Sequence, residues 1–137
     1  MTEPNPQLTD PEVRPAHILI VDDNEMNQRV ASSICGILGF TFESVFTGQA
    51  AINAAASDRF DLVLMDICMP GMDGVEAARG IHAHHAGLAA LPIIAVTANA
   101  EPSDCARYAA AGMVAVVPKP IRVPDLCSAI DRALARV

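Results

Sequence analysis

The feature that most constrains this chain is a rhythm. Short aliphatic runs, "HILIV", "FTFESV", "DLVLM", "LPIIAVTA" and "MVAVV", alternate with longer segments whose apolar residues recur at helical spacing. Each run has strand length. "HILIV" and "DLVLM" are apolar at successive positions, so both faces of those strands should be buried. Strand and helix alternating through short connections predict a parallel sheet with helices on both faces.

Local chemistry marks the boundaries. In "NEMNQRVASSICGILG", Val30, Ile34 and Leu38 recur at helical spacing, and Gly39 is a helix stop. Thr47 is a cap for a helix through "GQAAINAAAS". Asp73 or a neighbour starts the helix of "GVEAARGIHAHHA", which stops near Gly87. Pro92 enters the fourth strand, where a missing N–H is tolerated. Gly112 ends the helix of "EPSDCARYAAA". Pro124 takes the first turn of the last helix, with Ile130 and Leu134 on one face. Residues 1–15 hold four prolines among polar residues and read as a flexible leader before a folded domain at 16–137.

Composition narrows the function. A chain of 137 residues, 52% of them hydrophobic, suits one globular domain. A net charge of −7 without a dense Lys/Arg stretch argues against binding nucleic acid. No apolar run approaches the ~20 residues of a membrane span, and no signal peptide is visible. Cys35, Cys68, Cys105 and Cys127 lack the spacing of a zinc site and read as free thiols in a reducing compartment. A soluble, cytoplasmic protein is expected.

The polar residues at the strand ends carry the chemistry. Strand one delivers Asp22 and Asp23, strand three Asp66, strand four Thr97 and strand five Lys119 followed by Pro120. Open α/β sheets bind ligands outside the carboxyl ends of their strands. Three carboxylates converging there repel unless a cation joins them, and a hard divalent ion such as Mg²⁺ suits oxygen ligands. Lys119 can pair with Asp66 or with a phosphoryl group, and Thr97 can donate to a phosphoryl oxygen. Together they describe a phosphoryl-transfer site with Asp66 as nucleophile.

The motifs "LIVDDNEMNQRV", "DLVLMDICMPGMDG", "PIIAVTANA" and "VPKP", in this order, resemble the receiver domain of two-component response regulators over residues 16–136. "VDDNEMNQRV" and "VTANA" look most like receivers of hybrid histidine kinases and phosphorelays. The resemblance implies a doubly wound (βα)5, flavodoxin-like fold with strand order 2-1-3-4-5. It implies that Asp66 accepts a phosphoryl group from a phosphohistidine on a histidine kinase or phosphotransfer protein. Asp23 then looks like a direct Mg²⁺ ligand, Asp22 one acting largely through water, and the Cys68 backbone carbonyl a further ligand. Thr97 looks like the switch hydroxyl and Lys119 its cationic partner, with a cis Lys119–Pro120 bond. Such a protein is no enzyme beyond its own aspartyl phosphorylation and dephosphorylation. It would switch the surface of helix four, strand five and helix five toward an unknown downstream protein. The chain begins with Met1 and shows no output domain, which reads as a stand-alone receiver; a piece of a longer protein is the other reading.

Three positions depart from that pattern. Val116 stands where the switch aromatic is usual, so the alternative is a degenerate receiver, a binding module with weak conformational output. Pro118 requires strand five to be an edge strand. Cys68 lies at the expected pocket mouth. A Mg²⁺-dependent phosphohydrolase is a rival class, but the chain has no second acid at position 68 and no room for a cap. His82, His84 and His85 read as solvated helix residues. Tyr108 either packs or lies on the surface of helix four.

Overall fold

The computed structural model describes residues 15–57, 59–84 and 91–135. Most of the proline-bearing leader, together with His85 and Gly87, lies outside these residues. The described elements run β1 (His17–Val21), α1 (Glu25–Ile37), β2 (Thr41–Val45), α2 (Gly48–Ala55), β3 (Leu62–Asp66), α3 (Gly74–His84), β4 (Ile93–Thr97), α4 (Pro102–Ala110), β5 (Ala115–Pro118) and α5 (Val123–Ala135). The sheet is parallel throughout, in the order β2-β1-β3-β4-β5.

Side chains of a strand alternate between faces, and here the alternation sorts the core into two layers. Ile18, Ile20, Leu62, Leu64, Ile94, Val96, Ala115 and Val117 pack beneath α1 and α5. Leu19, Val21, Val63, Met65, Ile93 and Ala95 pack beneath α2, α3 and α4. Every residue of β3 and β4 is buried. The rims differ as their positions require. β2 is largely exposed, and Pro118 sits on the outer strand β5, where its absent N–H breaks no ladder.

The helix ends follow from side-chain capping. Asn24 accepts a hydrogen bond from the Asn27 N–H at 3.0 Å, and Thr47 from the Ala50 N–H at 3.0 Å. Asp73 and Glu76 form a reciprocal capping box at the start of α3, at 2.9 and 3.1 Å. Gly39 and Gly112 end their helices with φ of 88° and 90°, a left-handed conformation that glycine adopts without strain.

Two expectations need correcting. Val30 is exposed; the buried stripe of α1 is Gln28, Ala31, Ile34 and Cys35. The four-residue repeat followed one edge of that stripe rather than its centre. His82 is not solvated either. It is half-buried, its Nε2 lies 3.1 Å from the Leu91 carbonyl, and its ring fills the space that a side chain at position 112 would need. The side chain of His84 and all of His85 lie outside the described residues. Cys35 is fully buried, which pushes its thiol up to about 11, while Cys105 and Cys127 are half-buried and Cys68 is exposed.

Candidate functional site

Strand parity decides what meets at the carboxyl edge of the sheet. Asp22 continues the series Ile18, Ile20; Asp66 continues Leu62, Leu64; Lys119 continues Ala115, Val117. All three belong to the face beneath α1 and α5, and β1 lies directly beside β3. One carboxylate oxygen from each of Asp22, Asp23 and Asp66 falls within 4.8 Å of the others. Asp22 and Asp66 are buried and Asp23 is exposed. Lys119 reaches across, with Nζ donating to Asp66 Oδ1 at 2.7 Å and lying 3.6 Å from Asp22 Oδ2. The Lys119–Pro120 bond is cis, and the Lys119 N–H donates to the Thr97 carbonyl at 2.8 Å.

The electrostatics follow from crowding. Burial raises the pKa of Asp66 above the ordinary carboxylate value; the Lys119 hydrogen bond opposes this, and the charges of Asp22 and Asp23 add to it. Burial alone would lower Lys119, but its hydrogen bond to Asp66 and the charges of Asp66 and Asp22 outweigh that and leave it raised. The site holds more negative charge than one ammonium balances. A donor set made only of carboxylate oxygens fits a hard divalent cation.

Two residues that sequence reasoning passed over build this edge. Gln28, buried on α1, donates from Nε2 to the carbonyls of Val45 at 2.6 Å, Asp22 at 3.1 Å and Ile20 at 3.3 Å. It ties the ends of β1 and β2 to α1 and so fixes the backbone that carries Asp22. A glutamine inside an otherwise apolar stripe was the available signal. Gly74 opens α3 against the end of β3. A Cβ there would stand 2.3 Å from the Asp66 carbonyl oxygen, so only glycine permits this approach. The turn between them places Cys68 in an exposed loop.

Thr97 belongs to the other parity, with Ile93 and Ala95 beneath α2, α3 and α4. It is buried, and its hydroxyl is engaged on that side. Oγ1 accepts from the Asn99 N–H at 2.9 Å and lies 3.3 Å from the Tyr108 hydroxyl, which donates to the Asn99 carbonyl at 3.0 Å. Tyr108 is thus a packed residue, and it is a third one that spacing alone did not attach to the site. Val116 lies opposite Ala95 on β5, half-buried against the same core layer.

Comparison with known proteins agrees with this fold. The family model for the response regulator receiver domain matches residues 18–131. The chain belongs to that family. It is a receiver domain of two-component and phosphorelay signalling. The receiver is 37% identical over 119 residues to the sensor protein GacS of Pseudomonas syringae, covering 85% of this chain and 13% of that protein. It is 35% identical over 116 residues to the aerobic respiration control sensor protein ArcB of Escherichia coli, covering 85% of this chain and 15% of that protein. The chain therefore spans a small part of the relatives it matches. Among solved structures it resembles the receiver domain of a sensor histidine kinase from Pseudomonas aeruginosa, solved with a magnesium ion coordinated in its active-site cleft. That match has a TM-score of 0.77 and 34% identity, over 88% of this chain and 98% of the other. Among the described residues no helix is long and apolar enough to cross a membrane.

Proposed function

We propose that this receiver accepts a phosphoryl group on Asp66 from a phosphohistidine of a histidine kinase or histidine phosphotransfer protein. One observation carries the reading: a buried carboxylate at the carboxyl edge of the sheet, with an ammonium 2.7 Å from one oxygen and two more carboxylates beside it. An Asp66 oxygen attacks phosphorus and forms a P–O bond. The P–N bond breaks, and its electron pair stays on the imidazole nitrogen, which can then take a proton. Lys119 and the Thr97 hydroxyl are the groups able to stabilise the phosphoryl oxygens.

The all-oxygen donor set supports Mg²⁺ held by Asp23 and Asp66 directly, by Asp22 largely through water, and by the Cys68 backbone carbonyl. Bound there, the ion supplies positive charge that offsets carboxylate repulsion and the charge of the phosphoryl oxygens. The magnesium in the Pseudomonas aeruginosa receiver supports this assignment. The kinases among the relatives support a kinase or phosphotransfer partner. In this reading the protein is cytoplasmic and acts on no external substrate. It promotes only formation and hydrolysis of its own aspartyl phosphate, and passes the signal to a downstream protein.

Incubation with a small-molecule phosphodonor and Mg²⁺ tests the reading by intact-protein mass. The expected result is one added phosphoryl group, absent after chelation and absent in Asp66→Asn. A stable phosphoryl adduct in Asp66→Asn at the wild-type level would remove Asp66 as acceptor.

A further inference from the structure

We infer that Tyr108 is the positioning residue that couples Thr97 to α4, so that α4 carries the response to phosphorylation; this rests on Asp66 being the phosphoacceptor. The argument starts from a hydrogen-bond account. Tyr108 is 1% exposed, and its hydroxyl sits between two partners, the Asn99 carbonyl at 3.0 Å and Thr97 Oγ1 at 3.3 Å. Thr97 has one proton. With the Tyr108 proton on the Asn99 carbonyl, that of Thr97 serves the Tyr108 oxygen or the same carbonyl, 3.4 Å away. A Thr97 hydroxyl that turns to donate to a phosphoryl oxygen on Asp66 withdraws this proton. One hydrogen bond of this buried set is then lost, which is unfavourable. Tyr108 then swings its own proton from the Asn99 carbonyl to Thr97 Oγ1, or its ring shifts.

Either response reaches the surface through one helix. Asn99 lies in the exposed segment leading into α4, and Tyr108 is on α4 itself. The guanidinium of exposed Arg107 lies 5.3 Å from the Tyr108 ring centroid, so a ring displacement moves a surface charge. β5 offers no equivalent route at position 116. Val116 packs against the same core layer as Tyr108 with an aliphatic side chain that cannot bond to a hydroxyl. Strand parity places Thr97 on the α4 side of the sheet, away from α5.

Tyr108 is the only tyrosine, and the chain has no tryptophan, so the residue is its own reporter. The whole chain labelled with 3-fluorotyrosine gives one fluorine resonance. It is recorded with and without Mg²⁺ plus beryllofluoride, while phosphoryl loading from a small phosphodonor is followed separately by mass. Loading should move the tyrosine resonance and the α4 amide resonances. Tyr108→Phe keeps the ring and removes the hydroxyl; loading should persist, while the two-state response of α4 weakens by about fivefold, the effect of one neutral hydrogen bond. A wild-type protein that loads with its tyrosine resonance unmoved overturns the inference and favours a binding module with weak output. A Tyr108→Phe variant with the full α4 response also overturns it. If that variant does not fold, the wild-type fluorine measurement decides. Failure of the wild-type protein to load overturns the phosphoacceptor reading, and this one with it.

Discussion

Adding one methyl group should lower stability at Gly74 and raise it at Gly36, although both glycines lie in helices. At Gly74 the new Cβ would stand 2.3 Å from the Asp66 carbonyl oxygen and 2.8 Å from the Ile67 Cα. Both are main-chain atoms of the site's central strand and its following turn, and neither can rotate aside. Restoring an ordinary contact requires α3 and the end of β3 to part by about 1 Å. Overpacking of this kind costs about 1–3 kcal/mol. The helix preference of alanine offsets at most about 1 kcal/mol, and less at a first helical position. Gly74→Ala should therefore lose about 1–2 kcal/mol. At Gly36 nothing lies within 4 Å of the added atom and the backbone is ordinary helix, so Gly36→Ala should gain about 0.5–1 kcal/mol. Urea unfolding followed by circular dichroism reads both as midpoint changes at constant slope. A Gly74→Ala protein as stable as wild type would refute the argument that α3 is pressed against the Asp66 backbone. Because the displaced atoms carry Asp66, the proposed phosphoacceptor, Gly74→Ala should also slow phosphoryl loading, and Gly36→Ala should not.

The charges at the site yield further expectations. The raised pKa of Asp66 means that the native state holds this proton more tightly than the unfolded chain, so stability falls as pH rises through the folded value. Asp66→Asn removes that slope, and its advantage over wild type should grow from acid toward neutral pH; parallel urea-midpoint profiles would contradict this. Lys119 is raised, so its stabilising contribution is present below the ordinary lysine value and lost as pH climbs through the folded one. Lys119→Met leaves three carboxylates without their ammonium and should cost about 1–3 kcal/mol, with Mg²⁺ raising its melting temperature more than that of wild type. Glu43 is held at about 2 by Arg59 and then His17, yet its side chain is 39% exposed. Glu43→Gln should thus lower stability by less than about 1 kcal/mol, an effect present above the normal carboxylate value and weakened by salt.

Much of this arrangement was legible because it is periodic or local. Successive apolar residues in "HILIV" and "DLVLM" have no polar face to expose, so those strands must be central, and they are. Thr47 and Asp73 cap helices through contacts three residues away, which spacing alone can reveal. Val30 misled for a related reason, and His82 because nothing local shows that its ring meets the Leu91 carbonyl and Gly112. Periodicity defines a stripe on a helix but not the rotation of that helix against its sheet, and the packing of α1 set that rotation.

The sequence by itself determined the alternation of elements, the parallel sheet, and the delivery of acids, a hydroxyl and an ammonium to strand ends, because each depends on the order of residues along one segment. The tertiary structure alone decided which of them touch. Asp66 and Lys119 are far apart in the chain, and their 2.7 Å contact exists because β4 separates two strands whose side chains share a parity. Thr97, one step out of that parity, turns instead toward Tyr108 and the Asn99 carbonyl. Such contacts depend on register between strands and on how closely a helix start such as Gly74 can approach. Those quantities are fixed by packing across the sheet, where separation along the chain carries no information.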